Sequence, residues 1–508
     1  MSVEGLPNPE VRAMTVEDSE SDRMQHDCGV FMMYAPNPDT DVAMATYYGL
    51  MAEQHRGQEA AGMAVGNGQR LMVFKDQGLV STVFAEGKVM AGFPQDSYLT
   101  LGHVRWGTHS NLKNPYDAAG PMFEKVDRHR DIALAMNGDV VNERALLRKY
   151  KNDIPPDSIA SDMDLLAKAL AVELRKTDGM AEALSNLLER TVGGYAFVIT
   201  DGIKCYAGRD PNGIRPLVIG ELPDGGYVTA SETSALDTVN ATYLRDVRPG
   251  ELVTFDESGM HSLQLLEPGP EAKCSFERAY FARADSRSDG ESYYAARRRD
   301  GVMLREGDDV EADMVIGMPD SGTPAAIGYA AAAGIPYEAA VVKNNYVGRT
   351  YIKPQGGRGG ALKIKINFAP DFIKGKRIIV VDDSAVEGNT MIARIEELYA
   401  LGAAEVHVRI ASPPIVGGCK FGVSFDEPKL LARGRTEAEI ADYTKATSWK
   451  YLRLAKFKES IGMAAARTCF GCMDGNYPLD LVGALASEEK LRAAAVPAGN
   501  LALAGATV

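Results

Sequence analysis

The stretch R-I-I-V-V-D-D-S-A-V-E-G-N-T at 377–390 has the make-up of a phosphate site. An apolar run ends in two adjacent carboxylates, Asp382 and Asp383, and a loop of small residues then leads into a helical pattern. Open α/β sheets bind ligands at the carboxyl ends of their strands, where loop and helix N-terminal N–H groups cradle phosphate. The paired carboxylates can accept from ribose hydroxyls or stand near a metal. Taken alone, the stretch reads equally well as a plain strand–helix turn. A second loop of this type, M-P-D-S-G-T at 318–323, follows another apolar run. Two such loops in one sheet favour a ligand with phosphates at both ends.

Cysteine offers the other chemistry. If the Asp27–Cys28 bond is cut, Cys28 gains an α-amino group of pKa about 7.7–8 beside its thiol. That amine can act as general base without a histidine. A lone cysteine at a strand start is more often a buried structural thiol. Cys469 and Cys472 form a C-x-x-C, which by itself fits a redox pair, a zinc site or neither. Cys205 matches no motif and reads as a core thiol.

The elements that must position these residues follow two grammars. From Cys28 to about 265, short strands are separated by turn signals: 28–34, 98–104, 132–136 and 194–200. Helices are expected at 41–54 and 161–175, opened by Asp41 and Ser161. That mixture predicts a layered α+β domain. Beyond the E-P-G-P joint at 267–270 the expected order is strand 314–318, helix 323–333, strand 337–342, a long loop, strand 378–381, helix 389–401 and strand 406–410. Such alternation predicts a parallel α/β sheet. Residues 1–27 are acidic and without apolar period, and they read as a disordered or removed leader. The Ala-rich stretch 484–508 reads as a tail.

Composition narrows the function. The 508 residues carry 55 Lys+Arg against 69 Asp+Glu, a net charge of −14. An acidic chain argues against sequence-independent nucleic-acid binding, which needs a basic surface. No apolar run approaches the roughly 18 residues of a membrane helix, and the leader lacks the apolar core of a secretory signal. Six cysteines do not make a disulfide framework, so a reducing, cytoplasmic compartment is expected.

The run V-V-D-D-S-A-V-E-G-N-T resembles the phosphoribosyl-pyrophosphate (PRPP) motif of type I phosphoribosyltransferases. With P-D-S-G, K-N-N-Y-V-G-R-T-Y and R-I-A-S-P-P, it is similar to the amidophosphoribosyltransferase family, from about Cys28 to about Pro478. The resemblance implies an N-terminal-nucleophile glutaminase, an αββα sandwich at 28–266, and a type I phosphoribosyltransferase domain at 267–483. It implies the first step of de novo purine synthesis. Glutamine, PRPP and water would give 5-phosphoribosylamine, glutamate and pyrophosphate.

The same resemblance carries residue roles. Cys28 would be the nucleophile freed by propeptide removal, with Asn137 and Gly138 as oxyanion hole. Arg56 in Q-H-R-G-Q-E, Arg105 in H-V-R-W-G-T and Asp162 would bind glutamine. PRPP would be held by Asp320, Ser321, Gly322, Lys343, Tyr346, Arg349, Asp382, Asp383, Ser384, Gly388 and Thr390. Mg²⁺ would sit near Ser321, Asp382 and Asp383. The cation-rich loop with Lys353, Arg358, Lys363 and Lys365 resembles one that closes over PRPP. Cys274, Cys419, Cys469 and Cys472 fall where iron–sulfur members carry a [4Fe–4S] cluster; a Cys₄ zinc site or four unligated thiols are the alternatives. A homotetramer inhibited by purine nucleotides is also implied. Two positions depart from the family pattern: Glu387 and Asn345 stand where arginine is usual.

Overall fold

The computed structural model describes residues 28–85, 87–106, 115–128, 130–344, 366–423 and 427–478. They fall into two compact units. Of the described residues, the first comprises 28–297, 416–423 and 457–478. The second comprises Arg298–Ile415 and Asp426–Lys456.

In the first unit the main elements are β1 (Gly29–Tyr34), α1 (Val42–Ala52), β2 (Ala60–Gly66), β3 (Leu71–Gln77), β4 (Leu99–Arg105), β5 (Met122–Lys125) and β6 (Asp131–Val140). They continue as α2 (Asp162–Leu174), α3 (Met180–Leu188), β7 (Gly193–Thr200), β8 (Cys205–Arg209), β9 (Val218–Glu221), β10 (Tyr227–Ala230), β11 (Thr242–Asp246), β12 (Glu251–Asp256) and β13 (Gly259–Gln264). A seven-stranded sheet runs β11-β9-β10-β1-β4-β2-β3 and a six-stranded sheet runs β13-β12-β8-β7-β6-β5.

Period-two alternation builds the layers. Val30 and Met32 of β1 meet Ala133, Ala135, Ala196 and Val198 of β6 and β7 between the sheets. Phe31 and Met33 point the other way, toward α1. Leu134, Met136, Tyr195 and Phe197 pack against α2 and α3. The result is helix–sheet–sheet–helix, the expected αββα sandwich. Each large apolar side chain buried this way contributes about 1.5–3 kcal/mol. Both expected caps form: the Met44 N–H donates to the Asp41 side chain at 2.9 Å, and the Asp164 N–H to Ser161 at 3.2 Å. A strand β14 (Lys273–Cys274) closes this part of the chain.

The second unit contains β15 (Met314–Gly317), α4 (Thr323–Ala333), β16 (Arg377–Asp382), α5 (Asn389–Ala400), β17 (Glu405–Ile410), α6 (Glu437–Thr444) and β18 (Ser448–Tyr451). The strands make one parallel sheet, β15-β16-β17-β18, as the alternation predicts. The strand expected at 337–342 does not join it as a member. Tyr337 makes a single parallel bridge to Val315, while Val341–Lys343 pairs antiparallel with Ile366–Phe368 as a separate ribbon. Ala339 and Ala340 weaken the strand pattern there, so β15 holds this edge of the sheet and β18 the other. β19 (Thr468–Cys469) then returns to the first unit and pairs in parallel with β14, setting Cys274 opposite Cys469. Among the described residues no helix is long and apolar enough to cross a membrane.

Candidate active sites

Cys28 stands just before β1 and shares the parity of Val30 and Met32, which face the layer between the sheets. A pocket beside it is lined by Cys28, Arg105, Gly138 and Asp162, together with His103, Trp106, Asp139 and Ser161. Four residues singled out from sequence therefore meet in one cavity, drawn from β1, β4, β6 and α2. Gly138 has φ +126°, and a Cβ on it would stand 2.1 Å from the Gly194 carbonyl oxygen, so only glycine serves there. Asn137 shares the parity of Ala133 and Ala135 and faces the same inter-sheet layer as Cys28. It is fully buried, and neither of its amide atoms has a hydrogen-bond partner among the described residues. A buried amide without partners is a donor held ready.

Asp162 sits in the first turn of α2 and accepts from the Met163 and Val140 N–H groups at 2.8 and 3.2 Å. Burial, and then the charge of Asp139, push its carboxyl well above the usual range. A substrate ammonium would restore the carboxylate. His103 is the histidine of this pocket, and burial, with Arg105 beside it, lowers it to about 3. Its Nε2 faces the Met136 carbonyl at 3.3 Å. A neutral imidazole so placed is no partner for a thiolate, which leaves the base to another group.

Arg56 does not line this pocket. Its Nε donates to the Cys28 carbonyl at 3.2 Å, and its two terminal nitrogens go to Glu232 at 2.6 Å and to Glu277 at 2.8 and 3.1 Å. The structure thus shows Arg56 gripping the backbone of the nucleophile and meeting two carboxylates, and the glutamine contact expected of it remains a proposal.

In the second unit, the loops after β15 and β16 come together. The Ser321 hydroxyl donates to Asp383, and Lys343 pairs with Asp320. The Ser384 hydroxyl also donates to Asp383, at 2.5 Å, and the Asp383 N–H to Asp382 at 2.9 Å. Gly322 is wedged where a Cβ would meet Met318, Val381 and Asp382 backbone atoms at 2.9–3.0 Å. Gly388, at φ +84°, caps α5, and Thr390 lies in its first turn. Glu387, just before it, is buried and accepts from the Asn389 amide at 3.3 Å. Tyr346, Arg349, Asn345, Lys353, Arg358, Lys363 and Lys365 lie outside the described residues.

A family model for a glutamine amidotransferase domain matches residues 109–238. Amidophosphoribosyltransferase of Mycobacterium tuberculosis is 41% identical over 469 residues, covering 90% of this chain and 87% of the relative. That of Bacillus subtilis is 37% identical over 464 residues, covering 90% and 95%. The chain belongs to the amidophosphoribosyltransferase family. The solved B. subtilis glutamine PRPP amidotransferase, complexed with ADP and GMP, superposes with a TM-score of 0.81 over 89% of this chain and 97% of that one.

Within this amidophosphoribosyltransferase fold four of the five cysteines outside the pocket gather in the first unit. Cys274, Cys419 and Cys469 pack around Ile214 and Phe421. The Val416 and Gly417 N–H groups donate to the Cys472 carbonyl at 3.0 and 3.2 Å. All four thiols are free. Burial, followed by the other three thiols, pushes Cys472 well up, and burial lifts Cys469 to about 11. Among the described residues no set of three or more His, Cys, Asp or Glu is arranged to hold a single metal ion. Glu232 and Glu277 went unnoticed in the sequence. They lie 176 and 221 residues from Arg56, and no local spacing marks them.

Proposed function

We propose that the chain is a glutamine-dependent amidophosphoribosyltransferase, forming 5-phosphoribosylamine, glutamate and pyrophosphate from PRPP, glutamine and water. The observation that carries this is the meeting of Cys28, Arg105, Gly138 and Asp162 in one pocket of a chain that belongs to this family. With the leader removed, the Cys28 amine takes the thiol proton and Sγ attacks the glutamine side-chain carbonyl. The Asn137 amide and the Gly138 N–H receive the oxyanion. Arg105 takes the substrate α-carboxylate bidentately and Asp162 the α-ammonium. The amine returns its proton to the departing ammonia, and water then releases glutamate from the thioester.

At the second site ammonia attacks C1 of PRPP and pyrophosphate leaves. Asp320, Ser321 and Gly322 would hold the pyrophosphate, while Asp382, Asp383, Ser384, Gly388 and Thr390 would hold ribose and 5′-phosphate. Mg²⁺, when bound, supplies charge neutralisation of the pyrophosphate. It usually takes only one or two carboxylates plus substrate oxygens and water, so Asp382 and Asp383 suit it without a three-residue cage.

Cys274, Cys419, Cys469 and Cys472 would hold a [4Fe–4S] cluster in a structural role. The four thiols are half-buried and close together, and burial raises Cys274, Cys469 and Cys472, a penalty that binding as thiolates would relieve. A cytoplasmic homotetramer inhibited by purine nucleotides completes the reading, supported by the ADP and GMP named for the B. subtilis enzyme.

A second reading, a paralogue with an altered PRPP site, is favoured by one feature: the buried Glu387 carboxylate in the phosphate loop. Product analysis separates them. Incubation with glutamine, PRPP and Mg²⁺ is expected to give pyrophosphate and glutamate in equal amounts. Glutamate without pyrophosphate would move the assignment to the paralogue.

A further inference from the structure

We propose that Glu277 is a positioning residue for the Cys28 nucleophile and acts through Arg56. The inference rests on Cys28 being the thiol that attacks glutamine. Arg56, Glu277 and Arg215 are 1%, 4% and 1% exposed, so their bonds form away from water. Glu277 clamps Arg56 with one oxygen on each terminal nitrogen, at 3.1 and 2.8 Å. A forked pair of this kind fixes the plane of the guanidinium. With the plane fixed, the Nε–H is aimed along one line, at the Cys28 carbonyl 3.2 Å away. Glu232 cannot impose that plane. It meets Arg56 at Nη1, and its oxygens also serve His55, the Ser286 hydroxyl and the Arg283 N–H.

Glu277 is itself held from behind. Arg215 approaches it at 3.8 Å and donates to the Phe421 carbonyl at 3.0 Å. Phe421 in turn donates its N–H to the Cys419 sulfur at 3.3 Å, and Glu277 lies three residues beyond Cys274. A buried line of alternating charge therefore runs Arg215, Glu277, Arg56, Cys28. The segments carrying two of the four cysteines set the far end of the clamp, and the nucleophile's backbone rests on the near end.

The test compares Glu277→Gln with the conservative Glu277→Asp in the full chain. Each is assayed with glutamine and, separately, with ammonium chloride as nitrogen source, in PRPP and Mg²⁺. Iodoacetamide alkylation of Cys28 gives a second readout. For Glu277→Gln, kcat with glutamine should fall about 100-fold, the scale of a misplacement near 1 Å. KM for glutamine should stay within about threefold, because the groups that grip substrate are untouched. Alkylation should slow, ammonia-supported turnover should match the parent, and Glu277→Asp should recover part of the loss. Parent-like kcat in Glu277→Gln overturns the proposal. So does equal loss with glutamine and with ammonia, which marks a folding role. If the parent itself makes no pyrophosphate from ammonia, the PRPP reading fails instead, and glutamate release with alkylation still decides Glu277.

Discussion

Replacing Asn137 by alanine should make the protein no less stable while nearly abolishing its use of glutamine. Asn137 is fully buried with both amide atoms unpartnered among the described residues. Each buried unsatisfied polar group costs about 1–3 kcal/mol of folding free energy. Truncation removes that penalty and opens a void worth on the order of 1 kcal/mol. The two nearly cancel or leave a small gain, so the thermal midpoint should hold or rise. Removing one oxyanion donor costs about 10²–10³ in kcat, roughly 2.7–4 kcal/mol of transition-state stabilisation. Glutamate release under saturating glutamine, with thermal melting of the same preparations, measures both. A midpoint lowered by many degrees with kcat retained would refute the reasoning, because it would show Asn137 to be an ordinary structural amide.

Three further outcomes are expected. Asp162→Asn should raise KM for glutamine about 10- to 100-fold, the worth of one charged hydrogen bond of about 1.5–3 kcal/mol. Burial raises the Asp162 carboxyl, and substrate ammonium binds only its ionised form, so the parent's KM should fall as pH rises through that pKa. A KM flat between pH 5 and 8 that is also unchanged in the variant would exclude this role. Gly138→Ala, forced against the Gly194 carbonyl at positive φ, should lose glutaminase activity and melt lower; an active, equally stable variant contradicts the geometry. Cys472→Ser in anaerobically purified protein should lower iron content and the visible absorbance of the preparation. A parent that is colourless and iron-free rejects the cluster.

Much of this architecture is legible in the residues themselves. The strands around 28–34, 98–104 and 194–200 read as near-continuous apolar runs because both faces of each sheet are covered, and Asp41 and Ser161 mark helix starts through their own side-chain bonds. In the parallel sheet, continuous apolar runs and the following loops mark β15 and β16. What sequence does not show depends on tertiary partners. The four residues of β18, S-W-K-Y, carry no continuous apolar run of the kind that marks β15. The carboxylates that meet Arg56, Glu232 and Glu277, come from far along the chain, and no local spacing announces them. Ala339 and Ala340 weaken the run at 337–342, so pairing there is decided by Ile366–Phe368 rather than by local preference.

Glutamate release from glutamine by anaerobically purified protein, with and without PRPP and Mg²⁺, tests the central claim most directly. The account predicts strong stimulation by PRPP with Mg²⁺, accompanied by pyrophosphate. Glutamate release indifferent to PRPP would contradict it, and would place the defect at the loop that carries Glu387.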